Sequence, residues 1–429
     1  GLGSLLQHLE ELRFTEDDLA FLAETGQFRP EFLEVLRGYR FTGDIWAMDE
    51  GSICFPNEPL LRIHGSLASV QLIETLVLNI INYQTLVATK TARVVTAAGS
   101  GPVLEFGLRR APGPDGGISA SRAAWIGGAA GTSNTFAARR FGIPARGTMA
   151  HSWIMAFPDE TSAFRQYAEI YPGNPTLLID TYDTLGSGID AAIIVGKELA
   201  AEGRSIGVRL DSGDLAYLSQ QVRRRLDDAG LTDARIIVSN ELTEEIVSQL
   251  KAEGAPIDGW GVGTNLVTGG TDSSLTGVYK LAARRNGGDW EPTLKVSNNP
   301  EKTTNPGVKQ VYRFMDDGGQ PLADLIALDH EQVEPGRTWR FFHPTVEYGH
   351  FDLSRYHRIE PLLRLQMQKG TRVQAQEPLE EVRARVSRGL ADLHATHKRI
   401  INPHSYKVSL SRELRELKYD LVQRYLAPA

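Results

Sequence analysis

A single cysteine, Cys54, stands in 429 residues. That excludes an intrachain disulfide and the stapled architecture of small secreted domains, and makes a reducing cytoplasm the expected location. Positive charge is also scarce. Lys and Arg number 46 against 53 Asp and Glu, for a net charge of −7. No basic surface invites nucleic acid, so basic residues gathered in a cleft would serve a small anion. Long apolar runs are missing as well. The most apolar stretch, residues 67–81, is broken by Gln71, Glu74 and Asn79, and it reads as a buried helix and not as a membrane span. No internal repeat or low-complexity linker interrupts the chain, and the N-terminus has no charged-then-apolar leader pattern. It opens without methionine, directly into helix-like sequence at residues 5–12. The sequence is therefore expected to begin some way into the natural protein.

What is present is ordinary globular composition, 41% hydrophobic and 23% charged, at a length for two domains or a barrel with an attached layer. Thr15 followed by Glu16, Asp17 and Asp18 predicts a helix start, with Gly26 as its end. Short apolar runs punctuated by Gly and Pro follow over 43–65, then a long helical stretch over 67–97. From Pro102 the rhythm alternates. Strand-like runs at 103–106, 143–147, 176–180, 205–210, 235–238 and 257–263 are separated by helix-compatible segments such as 190–202, 215–229 and 241–253. Such alternation means parallel strands with helices outside. Polar and glycine residues cluster just past the strands, which favours the mouth of a barrel over an open sheet. Beyond Tyr279 come short strands at 289–296, 310–314 and 338–342, then charged helices at 379–393 and 409–425. The predicted organisation is an α/β barrel at 101–280, flanked by α+β segments at 1–100 and 281–429.

Five strand ends carry the chemistry. Glu105-Phe-Gly-Leu-Arg-Arg110 delivers an aromatic ring and two arginines into a glycine- and proline-rich loop. Arginine binds planar carboxylates and phosphates through two parallel hydrogen bonds, and Phe106 offers a stacking face; solvent-facing loop arginines are the alternative. His151, in Gly147-Thr-Met-Ala-His-Ser152, has a ring able to accept a phosphoryl group, or else one satisfied by a backbone carbonyl. Arg209-Leu-Asp-Ser-Gly-Asp214 suits a pyrophosphate–magnesium complex, although Asp214 reads better as the cap of a helix beginning at Leu215. Ser239-Asn240 and Gly261-Val-Gly-Thr264 present small residues whose backbone N–H groups can approach a phosphate.

The ordered set EFGLRRAPGPDGG, GTSN, GIPARGTMAHS, VRLDSGDL, VSN and GVGTNLV resembles the nicotinate phosphoribosyltransferase family. The likeness extends through GVYKL and PEKTTNPG, and backwards through RFTGD and FPNEPLLRI, across nearly the whole chain. The resemblance implies an irregular, TIM-like α/β barrel with an α+β sheet-and-helix domain formed from both chain ends, assembled as a homodimer. It implies transfer of phosphoribose from phosphoribosyl pyrophosphate to nicotinate in NAD salvage. It further implies Mg2+, and ATP as co-substrate hydrolysed through a phosphorylated His151. By motif, Phe106 stacks on the pyridine ring, Arg109 meets its carboxylate, and Arg209 and Asp211 surround ribose and pyrophosphate–magnesium. Ser239, Asn240, Gly263 and Thr264 hold the 5′-phosphate. Ser133 occupies the position where nicotinamide-using relatives carry an aspartate, which fits an acid substrate. The family's opening Thr-Asp-x-Tyr-Gln-like segment, whose tyrosine stacks on the ring across the dimer, has no counterpart before Leu5 and is expected upstream. Two rivals share the barrel: a quinolinate phosphoribosyltransferase, which needs further cations for a second carboxylate, and a catalytically silent phosphosugar-binding or scaffold protein.

Overall fold

The structure, a computed structural model, describes residues 1–171, 173–297, 303–346 and 348–426; residues 300–302 of the PEKTTNPG segment lie outside them. Two compact units emerge. One comprises Tyr83–Leu275 with Ile400–Asn402, the other Gly1–Asn82, Thr276–Arg399 and Pro403–Ala429, against predicted boundaries at 100 and 280. The first division falls inside one continuous 25-residue helix, Glu74–Ala98.

The unit from Tyr83 to Leu275 is built on a curled parallel sheet. Its strands in chain order are Val103–Glu105, Gly131–Thr132, Thr176–Leu178, Gly207–Leu210, Arg235–Val238 and Gly259–Val262. Across the sheet they run second, first, sixth, fifth, fourth, third, every pairing parallel. A bridge from Thr132 to Ala145 continues the curl beyond the second strand. Parallel neighbours demand crossovers, and the helices Ile189–Ala201, Leu215–Asp228 and Glu244–Ala252 supply them. Asp214 caps the second of these by accepting from the Tyr217 N–H, and Thr243 caps the third. The period of two along a strand sorts its side chains. Val208 and Leu210 pack into the large apolar core with Ile236, Val238 and Phe164, while Arg209 between them faces the other way, into the barrel.

Two expectations fail here for local reasons. The strand predicted at 143–147 shrinks to the single bridge at Ala145, because Pro144 has no N–H to give a ladder. Gly131–Thr132, absent from the predicted strands, is a strand, too short for any alternation to show.

The other unit joins both chain ends. A four-stranded sheet pairs Asp44–Ala47 and Leu61–His64 with Arg364–Gln368 and Thr371–Arg372. It shares a core with the helix Leu2–Glu11 through Leu5, Leu9, Ile45 and Met367. A six-stranded sheet contains Lys309–Met315, Pro321–Leu328 and Val408–Leu410. Thr15 closes a capping box with Asp18 at the head of the helix Glu16–Glu24. The stretch at 67–97 is two helices, Leu67–Leu72 and Glu74–Ala98, separated at Ile73. Its outer side is not buried, with Leu67 58% exposed. Within the predicted helix 409–425, Ser409 belongs to a strand instead; Ser411 caps the helix Arg412–Leu426 through the Leu414 N–H at 3.1 Å. The run at 289–296 holds only the two-residue strand Glu291–Pro292. No helix among the described residues is long and apolar enough to cross a membrane.

Candidate active site

The predicted residues all lie in the barrel unit and, except for His151, which opens the short helix His151–Met155 six residues beyond the bridge at Ala145, at or just past the C-terminal ends of its parallel strands. This is where side chains from separate strands can converge without disturbing the sheet. Two clusters form.

The first is centred on Arg209. Its Nε donates to Ser239 Oγ at 2.9 Å, its Nη1 to Thr148 Oγ1 and to the Met149 carbonyl (3.3 Å), and its Nη2 to Asp211 Oδ2 at 3.1 Å. The guanidinium fork thus holds three separate chain segments in one geometry. Asp211 Oδ1 also accepts from Ser239 Oγ at 2.6 Å. Imidazole Nδ1 of His151 lies 3.1 Å from Thr181 Oγ1, and its Nε2 lies 3.8 Å from Asp211 Oδ2. The His151 side chain is 41% exposed, against 19% for Asp211 and 13% for Arg209. The carboxylate and guanidinium are therefore shielded while the imidazole is open to an incoming ligand.

Asp180 was missed by the motif reading. Its Oδ2 accepts from the Asp211 N–H at 2.8 Å and from Ser212 Oγ at 2.7 Å, and its Oδ1 is shut off from solvent with no hydrogen-bond partner among the described residues. The available signal was positional: Asp180 ended a predicted strand, like the arginine and acid that were chosen.

The second cluster carries Phe106, Arg109 and Ser133. Phe106 leaves the first strand with its N–H on the Val262 carbonyl at 2.9 Å. Its ring lies over Gly261, where a Cβ would stand 2.8 Å from two ring carbons. Gly107 and Gly263 cross so closely that a Cβ on Gly107 would press on the Gly263 carbonyl at 2.9 Å and overlap Val267. Only glycine permits that approach. Arg109 sits in the short turn Leu108–Arg110, exposed, and makes no hydrogen bond or ion pair among the described residues. Ser133 holds the neighbouring segment through its N–H to the Glu105 carbonyl at 2.9 Å.

At the next strand ends, Asn240 adopts φ 119°, a backbone conformation rare for residues with side chains. Thr264 Oγ1 donates to Glu241 at 3.2 Å, and Asn265 Nδ2 donates to the Leu242 carbonyl at 3.0 Å. The two loops that carry Asn240 and Gly263 are thereby tied together.

Comparison with known proteins gives this constellation its context. The sequence matches the nicotinate phosphoribosyltransferase N-terminal domain over residues 1–82, the nicotinate phosphoribosyltransferase family over 103–314 and the nicotinate phosphoribosyltransferase C-terminal domain over 308–418. The nicotinate phosphoribosyltransferase of Bacillus subtilis (strain 168) is 43% identical over 414 residues, covering 96% of this chain and 84% of that protein. The crystal structure of human nicotinic acid phosphoribosyltransferase superposes with a TM-score of 0.85 at 32% identity, covering 98% of this chain and 91% of that one. A nicotinate-nucleotide pyrophosphorylase from Pyrococcus furiosus, at 24% identity and a TM-score of 0.66 over 82% of this chain and 81% of its own, shares the fold. With matches running from the first residues to the last helix, the chain belongs to the nicotinate phosphoribosyltransferase family.

Proposed function

We propose that the two clusters divide the family reaction between them, one holding nicotinate and the other phosphoribosyl pyrophosphate. The chain is a phosphoribosyltransferase of NAD salvage that forms nicotinate mononucleotide and pyrophosphate. In this reading Phe106 stacks on the pyridine ring, Arg109 pairs with its carboxylate, and the Ser133 hydroxyl donates to the same group. Asn240, Gly263 and Thr264 hold the 5′-phosphate with Ser239, and Arg209 and Asp211 face ribose and pyrophosphate. The observation that carries the division is the bonding of Arg209. Four of its five N–H donors are already spent on Thr148, Met149, Ser239 and Asp211, so it acts chiefly as a fixed positive field, whereas Arg109 is free to bind.

Displacement at the anomeric carbon needs positioning and charge stabilisation more than covalent help. Asp211, with the orphaned oxygen of Asp180 behind it, fits a magnesium ion brought in by the substrate's pyrophosphate. Such an ion supplies neutralisation of the leaving group. ATP enters as co-substrate by phosphorylating His151, whose exposed ring is held through Thr181. A homodimer in the cytoplasm is the assembly this reading requires. The test is nicotinate mononucleotide formation from nicotinate and phosphoribosyl pyrophosphate with magnesium, with and without ATP. Synthesis that ATP stimulates supports the reading in full; synthesis indifferent to ATP would remove His151 from it.

A further inference from the structure

Glu105 is almost completely buried, at 1% exposure, directly before Phe106 in the first barrel strand. Its carboxylate accepts from three neutral donors: the Gly107 N–H at 2.5 Å, Ser121 Oγ at 3.0 Å and Thr132 Oγ1 at 2.5 Å. Thr132 Oγ1 in turn accepts from the Asn134 N–H at 3.0 Å, and Ser133 between them donates its N–H to the Glu105 carbonyl. One residue therefore binds the start of the loop carrying Arg109, the helix Gly113–Ile126 through Ser121, Thr132 through its carboxylate and Ser133 through its carbonyl.

We infer that Glu105 is a positioning residue that sets the nicotinate slot by locking the Phe106–Arg109 loop to the Ser133 segment. This rests on the reading that Phe106, Arg109 and Ser133 take the pyridine ring. Three considerations carry it. A carboxylate only accepts, so the Gly107 N–H and the Thr132 hydroxyl must turn their hydrogens toward it, while Ser121 shares its single hydrogen between Glu105 and the Gly117 carbonyl at 2.9 Å; the placement of the Gly107 and Thr132 segments is thus fixed by direction as well as distance. The Gly107 loop has no slack on its other side, where Val267 and the Gly263 carbonyl crowd it; the pull of Glu105 and that crowding together define one position. Finally, an apolar residue would fill a purely structural site more favourably, because a buried charge among neutral donors carries a desolvation cost. That cost is offset where a substrate demands exact orientation of its binding groups.

The test uses the full chain with nicotinate and phosphoribosyl pyrophosphate varied separately, and kcat normalised to folded enzyme. Glu105→Gln keeps the shape and one oxygen for the Gly107 N–H, but it removes the charge and puts an NH2 where Oε2 accepted, so the bonds to the Ser121 and Thr132 hydroxyls must reverse direction. Thr132→Val removes one donor and keeps the charge, and Thr132→Ser restores that donor. Glu105→Gln and Thr132→Val should each raise the nicotinate KM roughly tenfold, the effect of one lost hydrogen bond to a charged group. The KM for phosphoribosyl pyrophosphate should not change, and Thr132→Ser should behave as wild type. A merely structural Glu105 would lower the melting temperature and the active fraction without this split. Unchanged nicotinate KM in folded Thr132→Val, or both KM values rising together, overturns the inference. Arg109→Ala in the same series separates the two levels. If it raises the nicotinate KM while the Glu105 and Thr132 variants do not, the positioning role fails and the ring-site reading stands; if none of the three raises it, the ring-site reading itself has failed.

Discussion

At the scale of single residues, acid-versus-amide selectivity turns on Ser133. A serine hydroxyl can donate to the nicotinate carboxylate, whereas an ionised aspartate can only accept and adds like-charge repulsion. Ser133→Asp should therefore lower kcat/KM for nicotinate strongly and give only a modest gain with nicotinamide, since Arg109 still favours an acid. Comparing kcat/KM for both substrates in both proteins checks this; an Asp variant that kept the wild-type preference would mean Ser133 does not face the substrate. His151 makes a different kind of demand. Its imidazole touches Thr181 and lies near Asp211 but is otherwise open. His151→Ala should abolish ATP hydrolysis and the acid-labile phosphoenzyme while leaving ATP-independent synthesis, because displacement at carbon does not use the ring. Phosphoenzyme at wild-type level in the variant would move the phosphorylation elsewhere.

At the scale of elements, the site depends on strands whose ends lie unusually close. Gly261 leaves room for the Phe106 ring on one side, and a Cβ there would also stand 3.2 Å from Ser239 Cβ. Gly261→Ala should push ring and serine apart, with overpacking strain of roughly 1–3 kcal/mol, and raise the KM of nicotinate and of phosphoribosyl pyrophosphate together. That joint rise distinguishes it from the nicotinate-only effect expected of Thr132→Val, and a variant with both KM values unchanged would show that the ring does not rest on this glycine. How much of this was legible in the sequence follows from the range of each interaction. The caps at Thr15 and Asp214 are local, a side chain bonding a backbone N–H three residues on, and they were readable. The strand ends bearing Phe106 and Arg209 were readable because polar residues interrupted apolar runs. Asp180 ended an apolar run in the same way, but its partners lie 31 and 32 residues away and no arginine, histidine or glycine stands beside it to mark it out. The strand holding Ser409 escaped for the same reason: its partner is Pro321–Leu328, and the charged helix that follows masked three buried residues.

At the scale of the whole molecule, the response of stability to pH should be set in part by a buried polar group far from the chemistry in sequence. Arg313 and Asp324 face each other across adjacent strands, joined by Nε at 3.0 Å and Nη2 at 2.6 Å, and the Tyr406 hydroxyl donates to Asp324 at 2.9 Å. Beside them stands Glu58. The residue is only partly buried, but its Oε1 is shut off from solvent. Burial first, and the neighbouring Asp324 carboxylate second, push its carboxyl well above the ordinary value of 4.5. The folded protein therefore holds a proton on Glu58 that the unfolded chain releases above about pH 4.5. Proton binding is then greater in the native state, so this group's contribution to stability falls as pH rises from there toward its folded value. The slope is at most about 1.4 kcal/mol per pH unit. Glu58→Gln keeps the shape and a hydrogen to share with Asp324 but has no proton to lose. Its melting temperature should match wild type near pH 5 and exceed it progressively toward pH 8, measured by calorimetry in buffers of equal ionic strength. Parallel curves for the two proteins across that range would mean that Glu58 ionises in the folded state as it does in the unfolded chain, and that the cluster around Asp324 tolerates a second charge.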